Sequence, residues 1–133
     1  MIEMKIILLA WALGMPIVTK AQIYDRRTNN NLAYNDSTAK AAIWSLYDSL
    51  QQGKPFTNLA FKYSQDPGSF KQGGELKPTT MEEYVNEYKE VVLKLGPNEV
   101  SKPFRSEYGY HIVQLVSKKD NVFVTRHILL RTD

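Results

Sequence analysis

Few side chains in this 133-residue chain offer reactive chemistry. It has two histidines, His111 and His127, and no cysteine. Without cysteine there are no disulfides, no thiolate nucleophile and no cysteine-ligated zinc. Each histidine falls in a stretch that reads as a strand, residues 108–116 and 122–130. If Val116 pairs with Val122 across a five-residue loop, partners sum to 238 and His111 faces His127. Direct antiparallel partners stand about 4.5–5.5 Å apart, so this hairpin would make the two imidazoles neighbours. A slip of one residue would send them to opposite faces. A lone histidine on a strand is otherwise a structural residue. Asp66 has its own bland reading, as a turn residue ahead of Pro67.

The elements that must carry these groups can be read from period and punctuation. Residues 22–34 are polar, with Arg26-Arg27 and Asn29-Asn30-Asn31, and read as a flexible lead-in. Asn35, Asp36 and Ser37 are N-cap types ahead of a helix with Ala42, Ile43, Leu46, Tyr47 and Leu50 along one stripe, stopped by Gly53 and Pro55. Thr57 can cap a second short helix with Leu59, Ala60 and Tyr63 inward. Pro67-Gly68 and Gly73-Gly74 bracket a turn-rich segment around Phe70. Thr80 and Glu83 have the spacing of a capping box, which predicts a helix with Tyr84, Tyr88, Val91, Val92 and Leu95 on one face, ended by Gly96-Pro97. Strands are predicted at residues 99–100, 108–116 and 122–130. Helices followed by an antiparallel sheet make an α+β fold, with about four helices.

Four pieces in order carry a resemblance. They are FTNLAFKYSQD at residues 56–66, GGEL at 73–76, PNEVSKP at 97–103 and YGYHI at 108–112. The run resembles the parvulin (PpiC-like) family of peptidyl-prolyl cis/trans isomerases, whose domain belongs to the FKBP-like superfold. That family usually opens with a strand reading R-H-I-L beside the strand reading G-Y-H-I. Here the expected pattern stands at the other end, as Arg126-His127-Ile128-Leu129. The C-terminal strand therefore takes the role of the opening strand, either as a permuted element or as the start of a second module.

The resemblance implies a role for individual residues. Asp66 matches a position that is Cys or Asp in the family, His111 and His127 match its histidine pair, and Ser106 matches a Ser/Thr site position. Leu76 matches an apolar pocket wall, Tyr84 and Tyr88 fall where the family has Met and Phe, and Tyr108 stands where it has a small or aromatic residue. Tyr84 and Tyr88 read either as core or as pocket residues. Two further departures are Lys77 and Asn98, each where glycine is usual. No basic cluster follows the His127 strand beyond Arg131, so no phosphate cradle is implied.

The implied activity is isomerisation of X-Pro bonds in unfolded or extended polypeptides. Twisting an amide requires no covalent step, cofactor or metal, only apolar walls for the proline ring and a few polar groups at the bond. An alternative is a non-catalytic chaperone or peptide-binding module of a larger foldase.

Bulk composition agrees with one globular domain: 43% hydrophobic and 23% charged residues with a net charge of +3. The basic residues are scattered, so nucleic acid is not an implied partner. One lysine in residues 1–5, an apolar run at 6–18 and small residues at Thr19 and Ala21 form a secretory signal pattern cleaved after Ala21. The other reading of that run is a buried N-terminal element. The expected organisation is a signal peptide at 1–21, a lead-in at 22–35 and the isomerase domain at 36–133. The product would be periplasmic or secreted, without stable membrane insertion after cleavage.

Overall fold

A computed structural model describes residues 21–25 and 34–132. Residues 1–20 of the signal segment predicted at 1–21, and residues 26–33 of the lead-in, lie outside the described residues.

Helix α1 spans Asp36–Gln51. Asn35 caps it: its Oδ1 accepts from Thr38 N–H at 2.8 Å, and its own N–H donates to Thr38 Oγ1 at 3.0 Å. Ala39, Ala42, Ile43 and Leu46 form the buried face that the apolar spacing predicts. Gly53, at φ +95°, closes the end. Helix α2 is Phe56–Tyr63, with Pro55 rather than Thr57 at its N-cap, so Thr57 lies inside the helix.

The predicted helix after Thr80 is broken. A single 3-10 turn, Met81–Glu83, comes first, and Thr80 makes no side-chain cap bond. Tyr84 and Val85 are extended, and helix α3 begins only at Asn86, running Asn86–Leu93. Tyr84 and Tyr88 are therefore not on one helix face, although their rings still meet, with centroids 4.8 Å apart.

Three strands follow: β1 Phe104–Ser106, β2 Gly109–Lys119 and β3 Val122–Arg131, antiparallel in the order β1-β2-β3. The strand expected at 99–100 is reduced to an isolated bridge between Val100 and Gln114. The first strand is instead β1. The hairpin also differs. Lys119 pairs with Val122, leaving a two-residue turn in which Asp120 takes φ 55°, and the register shifts between Leu115 and Ser117. His111 consequently faces Leu129, and His127 faces Val113. The offset from the expected register is an even number of residues here, so both histidines stay on one face. They are diagonal neighbours, still within reach of one another.

Alternation along β2 and β3 divides the molecule into two cores. Tyr110, Ile112, Ile128 and Leu130 pack with α1, Phe56, Ala60 and Tyr34. Val113, Leu115 and Phe123 pack with Met81, Tyr88 and Val92. Tyr34, assigned to the lead-in by the sequence reading, is a core residue at 1% exposure, and its hydroxyl accepts from Tyr24 N–H at 2.9 Å.

β3 is not an edge strand. On the side away from β2 it is covered by residues 74–79: His127 N–H donates to Gly74 O at 2.9 Å, Leu76 N–H to Thr125 O at 2.9 Å, and Thr79 and Phe123 exchange bonds at 3.0 and 2.8 Å. This close approach explains Gly74, whose φ is +88° and where a Cβ would stand 2.4 Å from His127 O. Lys77 is exposed and is not among the residues with positive φ, so glycine is not needed there. Asn98, by contrast, adopts φ 63°, a left-handed conformation that asparagine tolerates better than most residues.

Candidate active site

The inward face of β3 places Thr125, His127 and Leu129 in line, and β2 sets His111 alongside. Asp66 arrives from the turn after α2, and Ser106 from the end of β1. Together they form one hydrogen-bonded chain. His127 Nε2 lies 2.7 Å from Asp66 Oδ2, the two histidine Nδ1 atoms are 3.4 Å apart, and His111 Nε2 is 2.6 Å from Ser106 Oγ. When each ring carries one proton, a single set of donors satisfies the whole chain. His127 Nε2–H donates to the carboxylate, His111 Nδ1–H to the bare His127 Nδ1, and Ser106 O–H to the bare His111 Nε2. Ser106 Oγ also accepts from Tyr108 N–H at 3.1 Å. Every polar atom of the chain is thus satisfied, as burial demands.

The electrostatics follow from this arrangement. Asp66 is held well below the ordinary carboxylate range, first by the His127 hydrogen bond, against the cost of burial, with help from Ser69 and the Gly68 N–H. Ser69 Oγ donates to Asp66 Oδ2 at 2.5 Å and Gly68 N–H to Oδ1 at 3.2 Å. His111 is pushed down to about 3, chiefly by burial and then by the neighbouring His127, with Asp66 opposing. At neutral pH the site therefore holds an ionised carboxylate and an uncharged His111.

A cavity of about 440 Å³ opens beside this chain. Leu76, Tyr84, Tyr88 and Leu129 give it apolar walls, while Asp66, His111 and His127 present the polar side, and Tyr108 stands at 50% exposure. Its size suits a proline ring with flanking backbone. Tyr88 stands edge-on to both imidazoles, with centroids 5.8 Å from each and interplanar angles of 79°. Phe104 stacks flat on His111 at 5.1 Å and 10°.

Of the eight residues singled out from the sequence, seven line the cavity, and Ser106 sits behind His111 at 3% exposure. Sequence reasoning missed Ser69, Phe104 and Thr125. The period of β3 could have found Thr125, two residues before His127 on the same face. Ser69 and Phe104 carry no local signal, because their partners are brought in by the fold. Among the described residues there is no group of three or more His, Asp or Glu side chains placed to hold a metal, and no helix long and apolar enough to cross a membrane.

Known proteins resemble this chain in sequence, and a solved structure resembles it in fold. Residues 26–117 match the rotamase family, the PPIC-type PPIASE domain. Chaperone SurA of Pseudomonas fluorescens is 35% identical over 85 residues, covering 64% of this chain and 20% of the relative. Foldase protein PrsA 3 of Bacillus cereus is 33% identical over 111 residues, covering 76% of this chain and 38% of the relative. This chain thus spans between a fifth and two fifths of the length of these two curated relatives. The crystal structure of the peptidylprolyl isomerase PrsA from Bacillus cereus superposes with a TM-score of 0.58 at 37% identity, over 68% of this chain and 33% of that one. The α+β architecture is that of the parvulin domain, and the chain belongs to the PPIC-type peptidyl-prolyl isomerase family.

Proposed function

We propose that this chain is a peptidyl-prolyl cis/trans isomerase that assists the folding of exported proteins. The observation carrying this reading is the chain Asp66–His127–His111–Ser106 set against an aromatic cavity, in a protein of this family. Rotation about an X-Pro bond is opposed by amide resonance, a barrier of roughly 18–20 kcal/mol. Uncatalysed exchange takes tens to hundreds of seconds, slow enough to limit folding.

The residues lower this barrier without a covalent step. Leu76, Tyr84 and Tyr88 hold the proline ring and exclude the water that stabilises the planar, charge-separated amide. Asp66, ionised at neutral pH, acts by its charge. Facing the X-Pro carbonyl oxygen, it disfavours the planar form, whose oxygen bears more negative charge than that of the twisted form. His127, His111 and Ser106 orient the carboxylate through the hydrogen-bonded chain, and Tyr108 borders the mouth where the flanking peptide enters. The substrates are proline-containing unfolded or extended polypeptides, and the signal pattern at 1–21 supports a periplasmic or secreted location.

The test is catalysed cis-to-trans exchange of short X-Pro peptides by purified residues 22–133. Turnover above the uncatalysed rate is expected. A folded protein that binds these peptides without accelerating exchange would replace this reading with the peptide-binding module.

A further inference from the structure

Tyr84 and Tyr88 bring two hydroxyls to a cavity wall that otherwise needs none. Burial raises the pKa of both, so each hydroxyl keeps its proton and needs a partner. Thr125 supplies it. Its Oγ1 lies 2.8 Å from Tyr88 Oη and 3.5 Å from Tyr84 Oη, and the threonine is wholly buried, at 0% exposure, behind the cavity. Tyr88 itself is only 4% exposed, so no water substitutes for this bond. The bond reaches from α3 to β3, each of which contributes to the cavity lining, Tyr88 from the helix and His127, Leu129 and Arg131 from the strand.

We propose that Thr125 is a positioning residue for substrate. By holding the Tyr88 hydroxyl it sets the plane of the ring that walls the cavity and stands edge-on to both His111 and His127. The 3.5 Å contact brings Tyr84 to the same anchor, so one hydroxyl registers both aromatic walls against the strand that carries His127. An apolar residue at 125 would leave the Tyr88 hydroxyl buried and unpaired, and the ring would tilt toward the cavity to reach a partner. The inference rests on the cavity being the proline site, and it makes Tyr88 and Thr125 a matched pair whose effects are not independent.

The test uses residues 22–133 carrying T125V, T125S, Y88F or Y88F/T125V, each followed by X-Pro peptide affinity and by the separate kcat and KM of isomerisation. T125V is expected to weaken affinity and raise KM about tenfold, the equivalent of about 1.4 kcal/mol. T125S, which keeps the hydroxyl, should lose less than about twofold, and Y88F/T125V should recover much of what T125V loses, because the buried Tyr88 hydroxyl is gone and only the half-buried Tyr84 hydroxyl, at the longer 3.5 Å contact, loses its partner. Lower stability of T125V with unchanged affinity and KM would overturn the proposal, as would equal losses in T125S and T125V. If T125V does not fold, T125S and Y88F/T125V measured against Y88F decide by the same criteria. Absence of turnover in the parent chain would sink the isomerase reading alone, because peptide affinity still tests the Thr125 pair.

Discussion

At the scale of the residue, the candidate site combines a charge kept and a charge refused. Asp66 keeps its charge because His127, Ser69 and Gly68 all donate to it. Asp66→Asn removes that charge at nearly constant shape, and kcat/KM for X-Pro exchange should fall on the order of a hundredfold. The same assay run beside near-ultraviolet circular dichroism checks this. A folded variant retaining more than half of the activity would return Asp66 to the status of a turn residue. His111 refuses charge. Its pKa is pushed down to about 3 in the folded chain, against about 6.5 for a free histidine. Between those values the unfolded state binds more protons, so stability is fully present above pH 6.5 and declines as pH falls. The slope for one proton is up to about 1.4 kcal/mol per pH unit. Asp66, lowered in the fold, adds a loss of the same sign below the ordinary carboxylate range. Denaturant midpoints at pH 7, 5.5 and 4.5 should fall in that order. H111Q should flatten the decline between pH 6.5 and 5; an unchanged slope would exonerate His111.

At the scale of the element, β3 is held from both sides, and Gly74 shows how tightly. Gly74→Ala would push a methyl into the carbonyl of His127 at a left-handed φ. Destabilisation should exceed the roughly 1–2 kcal/mol of the left-handed conformation alone. Gly68, whose added Cβ would meet only Asp66 Oδ1 at 3.6 Å, is the control, and G68A should change stability by about 0.5 kcal/mol or less. Equal midpoints for the two variants in urea would show that the 74–79 segment gives way freely. The sequence already held much of this: the Gly-Gly turn, α1 with its Asn35 cap, and both histidine strands were legible from spacing. What was not legible depends on geometry beyond the local pattern. A two-residue turn at Asp120-Asn121 with one irregularity near Val116 moved the histidine register by two, and only its even size preserved the shared face. Thr80 and Glu83 have capping spacing, yet the chain there makes a single 3-10 turn and then extends through Tyr84 and Val85. Asn98 carried a readable signal in retrospect, since a position favouring glycine or asparagine is one that needs positive φ.

At the scale of the whole molecule, the family match ends at residue 117, while β3 begins at Val122. The strand outside the matched segment nevertheless lies between β2 and residues 74–79 and feeds both cores. Ile128 and Leu130, each at 0% exposure, complete the core beneath α1, and Phe123, at 3%, completes the one beneath α3. At about 1.5–3 kcal/mol per buried side chain, losing these three alone removes an amount comparable to the whole stability of an ordinary domain, about 5–15 kcal/mol. Deleting β3 would also bare the inner edges of β2 and the 74–79 segment, whose backbone groups have no other partners to hand. A chain ending at residue 121 is therefore expected to show no cooperative unfolding transition in urea, whereas residues 22–133 should unfold in one step. Supplying a synthetic peptide of residues 122–132 to the shortened chain should restore protected amides in β2, measured by hydrogen exchange. If the shortened chain unfolds cooperatively by itself with β2 protected, β3 is an accessory strand. The histidine pair would then be an addition to a fold already complete without it.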